Sequence, residues 1–348
     1  MESTRMFERN TQELVEMARN DFYWNEFSAE AFIAMKDEKE RVHYLRDFFN
    51  KQFAMFDSIP LWEEGAPEFN SEFERQNQPQ IAFFPHAGPE PKGIVLISPG
   101  GGYNIKSTYE CFPVALKMVE AGYSAAVLDY RLKPYSQYVS VMDIKRAIRV
   151  LRYRAIELNI RPDKIAVAGF SAGANLSSMA AVHFDYGAVD ASDPIDRVSC
   201  RPDGVILGYG AFSQSSFPVR VPFILYETPE FSEMDENKLY ELDPSGFISV
   251  PFNDPQLKHK LYFSPEKNIG EDTPPFFLWQ TNQQDDPRFI LNLAKELTDW
   301  GISFELHCFP HGPHGLGLAD GKGQPNPRME HVMHWSQLAV EWLENLEF

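Results

Sequence analysis

The chain has 348 residues, a formal net charge of −18, and a composition 43% hydrophobic and 14% aromatic. Such a chain folds around a large core and is not intrinsically disordered. Its acidic balance argues against nucleic acid and anionic membranes as partners and leaves neutral or cationic small molecules open.

The opening stretch MESTRMFERNTQELVEMARND is amphipathic and charged and lacks the apolar core of a secretory signal. No apolar run reaches the roughly 18 residues that a membrane-spanning helix needs. Cys111, Cys200 and Cys308 are odd in number and far apart, which fits packing residues in a reducing cytoplasm and no disulfide frame.

Residues 1–56 read as helices, a helical extension that is a candidate cap or self-association interface. SAEAFIAM opens with Ser28 as a helix cap, and DEKERVHYLRDFFNKQFAMF sets Val42, Leu45, Phe49 and Phe53 at helical spacing. SIPLWEEGAPEFN then breaks the pattern with Pro and Gly. From about residue 81 short apolar runs follow one another: GIVLIS, SAAVLDY, KIAVAG, GVILGYG, PFFLWQT and SFELHCF. Runs without alternation predict strands buried on both faces, as in a parallel sheet.

Helical stretches separate these runs. Ile144, Ile148, Leu151, Ala155 and Leu158 form one stripe facing a sheet, with Arg and Lys pointing outward. RFILNLAKELTDWG ends on Gly301 as a left-handed stop, and MEHVMHWSQLAVEWLENL is a final helix. Alternating strand and helix predicts right-handed crossovers and a doubly wound α/β sheet. One gap of about 65 residues, rich in Pro, Phe, Tyr and acids, predicts a lid-like insertion at about 211–273. Its Phe212, Phe217, Phe223 and Tyr226 suit either an apolar acyl or aryl pocket or the insertion's own core.

The chemistry centres on Gly169-Phe170-Ser171-Ala172-Gly173. A strand precedes it and a helix follows, which is the context of a nucleophile elbow. A serine hydroxyl needs a base. His314, in the glycine-rich PHGLG loop after the last strand, is the candidate; His311 is assigned to the rim, and the remaining histidines to surface or packing. A carboxylate must orient the imidazole, and FFLWQTNQQDDPRF presents Asp285 and Asp286 after the preceding strand. Asp285 lies nearer the strand end and is favoured; Asp286, next to Pro287, is the alternative and can instead cap the following helix.

An oxyanion needs preorganised donors. ISPGGGY follows the first core strand, so the N–H groups of Gly101 and Gly102, with that of Ala172, are the expected hole. GGGYNIKS matches neither GxGxxG nor GxxxxGK, which argues against a phosphate loop.

SPGGGY, LDYRLKP, RPDKIAVAGFSAGANL, PPFFLWQT and FPHGPHGLGLA together resemble the α/β-hydrolase superfamily, and within it the esterase and acetylxylan-esterase-like branch. The resemblance runs from about residue 58 to 348. It implies an α/β-hydrolase domain over 57–348, Ser171 as nucleophile, His314 as base and the PGGG loop as oxyanion hole. It also implies small acyl esters, such as acetyl esters on sugars, as substrates. Tyr130 and Arg131 match the family's Tyr-Arg pair and are expected to shape the sheet edge. Three positions depart from the pattern: Pro99 stands where many relatives have His, Ala174 replaces a Gly, and DDPRF lacks the usual Val-Pro after the acid. The expected activity is ester hydrolysis through an acyl-enzyme, without metal or organic cofactor. The competing readings are a peptidase-type serine hydrolase, for which no amine clamp is identifiable, and a non-catalytic binding protein on the same scaffold.

Overall fold

The computed structural model describes residues 34–212, 261–324 and 326–348. Ser28, Phe217, Phe223 and Tyr226 lie outside them, as does most of the expected insertion. Helix α1 spans Glu38–Phe53. Asp37 caps it by accepting the Glu40 N–H at 2.9 Å. Phe49 and Phe53 are buried, while Val42 and Leu45 are half-buried.

The strands are β1 (Ser58–Pro60), β2 (Gln80–Phe84), β3 (Lys92–Ser98), β4 (Ser124–Asp129), β5 (Ile160–Phe170), β6 (Gly204–Gly208), β7 (Phe276–Thr281) and β8 (Phe304–Phe309). The other helices are α2 (Phe112–Glu120), α3 (Gln137–Tyr153), α4 (Ala172–Val182), α5 (Pro287–Asp299) and α6 (Glu330–Asn345). The strands form one eight-stranded sheet in the order β1-β2-β4-β3-β5-β6-β7-β8. From β4 to β8 every neighbouring pair is parallel; β1 and β2 add an antiparallel edge. This is the α/β-hydrolase architecture expected from the motifs. The six apolar runs are all strands, but β1, β2 and α2 had no counterpart among the predicted elements.

Burial on both faces explains the apolar runs. In β3, Ile94 and Leu96 join one core cluster while Val95 and Ile97 join the other. Residues Ile165/Ala166, Val205/Ile206 and Leu278/Trp279 divide in the same way. The first cluster is completed by α3, α4 and α5, and the second by α1, α2 and α6. The α3 helix ends at Tyr153, so Ala155 and Leu158 leave the predicted helical stripe, yet both remain buried in the first cluster. Arg146 departs from the outward-pointing expectation. It is buried, donates to the Leu61 carbonyl at 2.8 Å and pairs with Asp193 and Asp196. Cys111 and Cys200 are buried as expected, but Cys308 is exposed because β8 is the sheet's last strand. Gly301 does stop α5, with φ 69°.

Helix α1 is joined to the core by aromatic contacts. Phe49 stacks on Phe112 with ring centroids 5.8 Å apart, and Phe56, just after α1, meets Phe84 at 4.6 Å. Phe49→Ala is expected to cost about 3–5 kcal/mol, the range for emptying a buried aromatic site. Urea unfolding measures it as a lower midpoint with an unchanged slope. A loss under about 1 kcal/mol would mean that α1 contributes little to the core.

Candidate active site

The candidate residues sit where the parallel strands end. The glycine loop follows β3, Ser171 follows β5, Asp285 follows β7 and His314 follows β8. In open parallel sheets this carboxyl edge is where ligands bind.

Ser171 links β5 to α4 with φ 53° and ψ −119°, a backbone conformation that non-glycine residues rarely adopt. Its N–H donates to the Gly208 carbonyl at 3.0 Å, which fixes the turn to β6. Two glycines permit the turn. A Cβ on Gly169 would stand 2.1 Å from the Gly173 oxygen, and a Cβ on Gly173 would stand 2.0 Å from the Ser98 oxygen. The sharp turn leaves the Ser171 side chain half-exposed at the N-terminus of α4, where backbone dipoles favour negative charge.

His314 closes the geometry. Its Nε2 accepts from the Ser171 hydroxyl at 2.8 Å, and its Nδ1–H donates to Asp285 Oδ1 at 2.6 Å. The imidazole keeps 39% exposure, while Asp285 keeps 15%. Burial pushes the His314 pKa down, but the hydrogen bond and charge of Asp285, with the charge of Glu110, outweigh it. The net effect holds the ring above the ordinary imidazole value. Asp286, the alternative acid, is engaged elsewhere. It caps α5 by accepting the Arg288 N–H at 2.9 Å and pairs with the Arg288 guanidinium. The local path of the loop separates the two neighbours: one meets the imidazole and the other starts the helix.

The histidine loop is held by side chains that the sequence reading passed over. Gln284 accepts the His314 N–H at 3.0 Å and Gln283 accepts the Gly312 N–H at 2.9 Å. Asn326 donates to the His314 carbonyl at 2.9 Å and the Gly315 carbonyl at 2.7 Å. Tyr209 stands edge-on to the imidazole, with ring centroids 5.0 Å apart. Nothing in the local sequence distinguishes these residues, because their roles depend on which loops meet. His311 is exposed, in keeping with a rim position.

The glycine loop is pinned from several sides. Tyr130 donates to the Pro99 carbonyl at 2.7 Å, and Tyr103 donates to Asn175 of α4 at 3.0 Å. Arg46 of α1 reaches the Asn104 and Lys133 carbonyls, each at 2.8 Å. Lys106 and Asp129 form a buried ion pair at 2.7 Å beneath the loop. Gly101 and Gly102 have φ of 123° and 62°, in the region that favours glycine. Among the described residues, the N–H groups of Gly101, Gly102 and Ala172 have no hydrogen-bonded acceptor. Arg131, expected to shape the edge, is buried in an ion pair with Asp143.

Phe212 is fully buried in the first core cluster, so it packs the core and does not line an open acyl pocket. A concave surface lined by Trp62, Tyr138, Lys145, Arg146 and Tyr262 contains none of the candidate residues, and its basic groups are paired with Asp185, Asp193 and Asp196. Among the described residues, no group of His, Cys, Asp and Glu side chains is arranged to hold a metal ion, and no helix is long and apolar enough to cross a membrane.

A model of the BD-FAE family matches residues 82–300. The chain belongs to the BD-FAE family. Among solved structures, this BD-FAE member is similar to an acetyl ester-xyloside bifunctional hydrolase from Caldicellulosiruptor lactoaceticus. The TM-score is 0.69 and the identity 34%, over 84% of this chain and 97% of that one. The carboxylesterase Cest-2923 from Lactobacillus plantarum, 21% identical with a TM-score of 0.59 over 78% of this chain and 93% of that one, shares the fold. The acetylxylan esterase of Xylanibacter ruminicola is 25% identical over 75% of this chain and 48% of its own length. The endo-1,4-beta-xylanase B of Butyrivibrio fibrisolvens is 30% identical over 75% of this chain and 38% of its own. The chain therefore spans less than half the length of these two curated relatives.

Proposed function

We propose that this BD-FAE member is a serine carboxylic-ester hydrolase that removes small acyl groups, acetyl foremost, from carbohydrate esters. One observation carries the reading. Asp285, His314 and Ser171 form a continuous hydrogen-bonded chain, at 2.6 Å and 2.8 Å, next to backbone amides that have no acceptor among the described residues. The relatives named as acetylxylan esterase and acetyl ester-xyloside hydrolase support acetyl groups on sugars as the substrate class.

The chemistry follows from the geometry. Ser171 Oγ attacks the ester carbonyl as His314 Nε2 takes its proton. Asp285 stabilises the imidazolium, and the N–H groups of Gly101, Gly102 and Ala172 receive the oxyanion. Collapse of the tetrahedral intermediate breaks the carbonyl–alkoxy bond, and His314 returns the proton to the leaving alcohol. Water, deprotonated by the same histidine, then attacks the acyl-enzyme and frees the acid and Ser171. The free thiols of Cys111, Cys200 and Cys308 support a reducing, cytoplasmic setting.

Turnover of p-nitrophenyl acetate, its longer homologues and acetylated xylo-oligosaccharides tests this reading, together with labelling by a fluorophosphonate. Acetate release and a single adduct on the peptide containing Ser171 are expected. No turnover on any ester and no adduct at Ser171 would overturn it.

A further inference from the structure

We infer that Glu110 is a positioning residue that ties the glycine loop after β3 to the loop carrying His314. The inference rests on the ester-hydrolase reading of the same site. Glu110 lies in the short turn Thr108–Glu110, ahead of α2, and is 1% exposed. A carboxylate is costly to bury, and this one is held by specific partners. Its Oε2 accepts the Gly100 N–H at 2.8 Å, and its Oε1 accepts the Tyr209 hydroxyl at 2.9 Å. The same hydroxyl accepts the Gly317 N–H at 2.9 Å, while the Tyr209 ring lies against His314. The loops that follow β3 and β6 thus meet on one carboxylate, and the loop after β8 joins them through the Tyr209 hydroxyl.

The contact with Gly100 bears directly on the reacting atoms. A Cβ on Gly100 would sit 2.8 Å from Ser171 Cβ and 2.6 Å from Glu110 Oε2, so this peptide is confined between nucleophile and carboxylate. With the Gly100 N–H committed to Glu110, the orientation of the next peptides, which carry the Gly101 and Gly102 donors, is set. Three successive glycines have little rotational preference of their own; the Gly100 and Gly101 carbonyls accept from Ser107, Asn104 and Ile105 within the turn, and Glu110 fixes the Gly100 N–H. Glu110 also acts on His314 through its charge. Among the described residues, Asp285 and Glu110 are the charged groups that act on the ring, and Ser171 and Tyr209 are the hydroxyl-bearing groups that touch it. Both carboxylates favour the imidazolium that forms when Ser171 loses its proton.

Glu110→Gln keeps the shape, removes the charge and cannot accept both hydrogen bonds. A misplaced donor set lowers kcat by roughly 10²-fold, with KM nearly unchanged. For the wild type, kcat/KM rises with pH along a limb centred above about 6.5, because His314 must be neutral to act as base. In Glu110→Gln that limb moves to lower pH. Titration of the His314 ring by NMR reads the same shift without any substrate. Tyr209→Phe removes only the bridging hydroxyl: kcat falls, and the limb stays close to its wild-type position because the Glu110 charge remains. It also serves as the second variant should Glu110→Gln fail to fold. An unchanged kcat together with an unshifted His314 titration in Glu110→Gln, or a kcat unaffected by Tyr209→Phe, would overturn the inference. Absence of ester turnover in the wild type with a Glu110-dependent His314 titration would overturn the ester-hydrolase reading and still support the coupling of Glu110 to His314.

Discussion

Ser171→Ala lowers kcat for p-nitrophenyl acetate by roughly 10⁶-fold, the scale seen when a serine hydrolase loses its nucleophile. The residual rate is expected from the proposed oxyanion donors stabilising the substrate carbonyl as a bound water attacks it. Equal rates in the two proteins would remove Ser171 from the mechanism. The same position carries a stability signature. At φ 53° and ψ −119°, Ser171 stores backbone strain on the order of 1–3 kcal/mol. Ser171→Gly relieves that strain, so it is expected to be as inactive as Ser171→Ala yet no less stable than wild type in urea. A lost rate without lost stability separates chemistry from misfolding.

Asp285→Asn is the second large effect, a fall in kcat of about 10⁴-fold. The amide cannot hold Nδ1 in its protonated tautomer, so Nε2 no longer accepts the Ser171 proton, although the shape of the site survives. Asp286→Asn is the matched control. Asparagine caps a helix as well as aspartate does, so α5 keeps its start, and activity stays within about twofold of wild type because Asp286 meets Arg288 and not the imidazole. Parallel kcat measurements on the two variants decide the matter. A large loss in Asp286→Asn alone would assign the acid to it.

The central strands were legible because burial on both faces leaves continuous apolar runs, and GFSAG was legible because glycines flank a serine at a strand–helix junction. Strand β1 was not, being three residues ending in Pro60. The choice between Asp285 and Asp286 was open in the sequence because adjacent residues share one local context. Only the path of the loop between β7 and α5 separates them. Glu110 was the least visible of all. A glutamate in STYECF reads as a solvated charge until Gly100 and Tyr209, the latter 99 positions away, converge on it.

The hydrogen bond between Ser171 and His314 joins residues 143 positions apart, across β6, β7 and β8. Ser171, Asp285 and His314, the proposed nucleophile, acid and base, each follow a different strand, and along a strand adjacent side chains point to opposite faces. A one-residue slip in the pairing of β7 or β8 would therefore rotate a partner out of reach. Catalytic competence is in this sense a property of sheet register, and in refolding it returns only after the longest chain closures are complete.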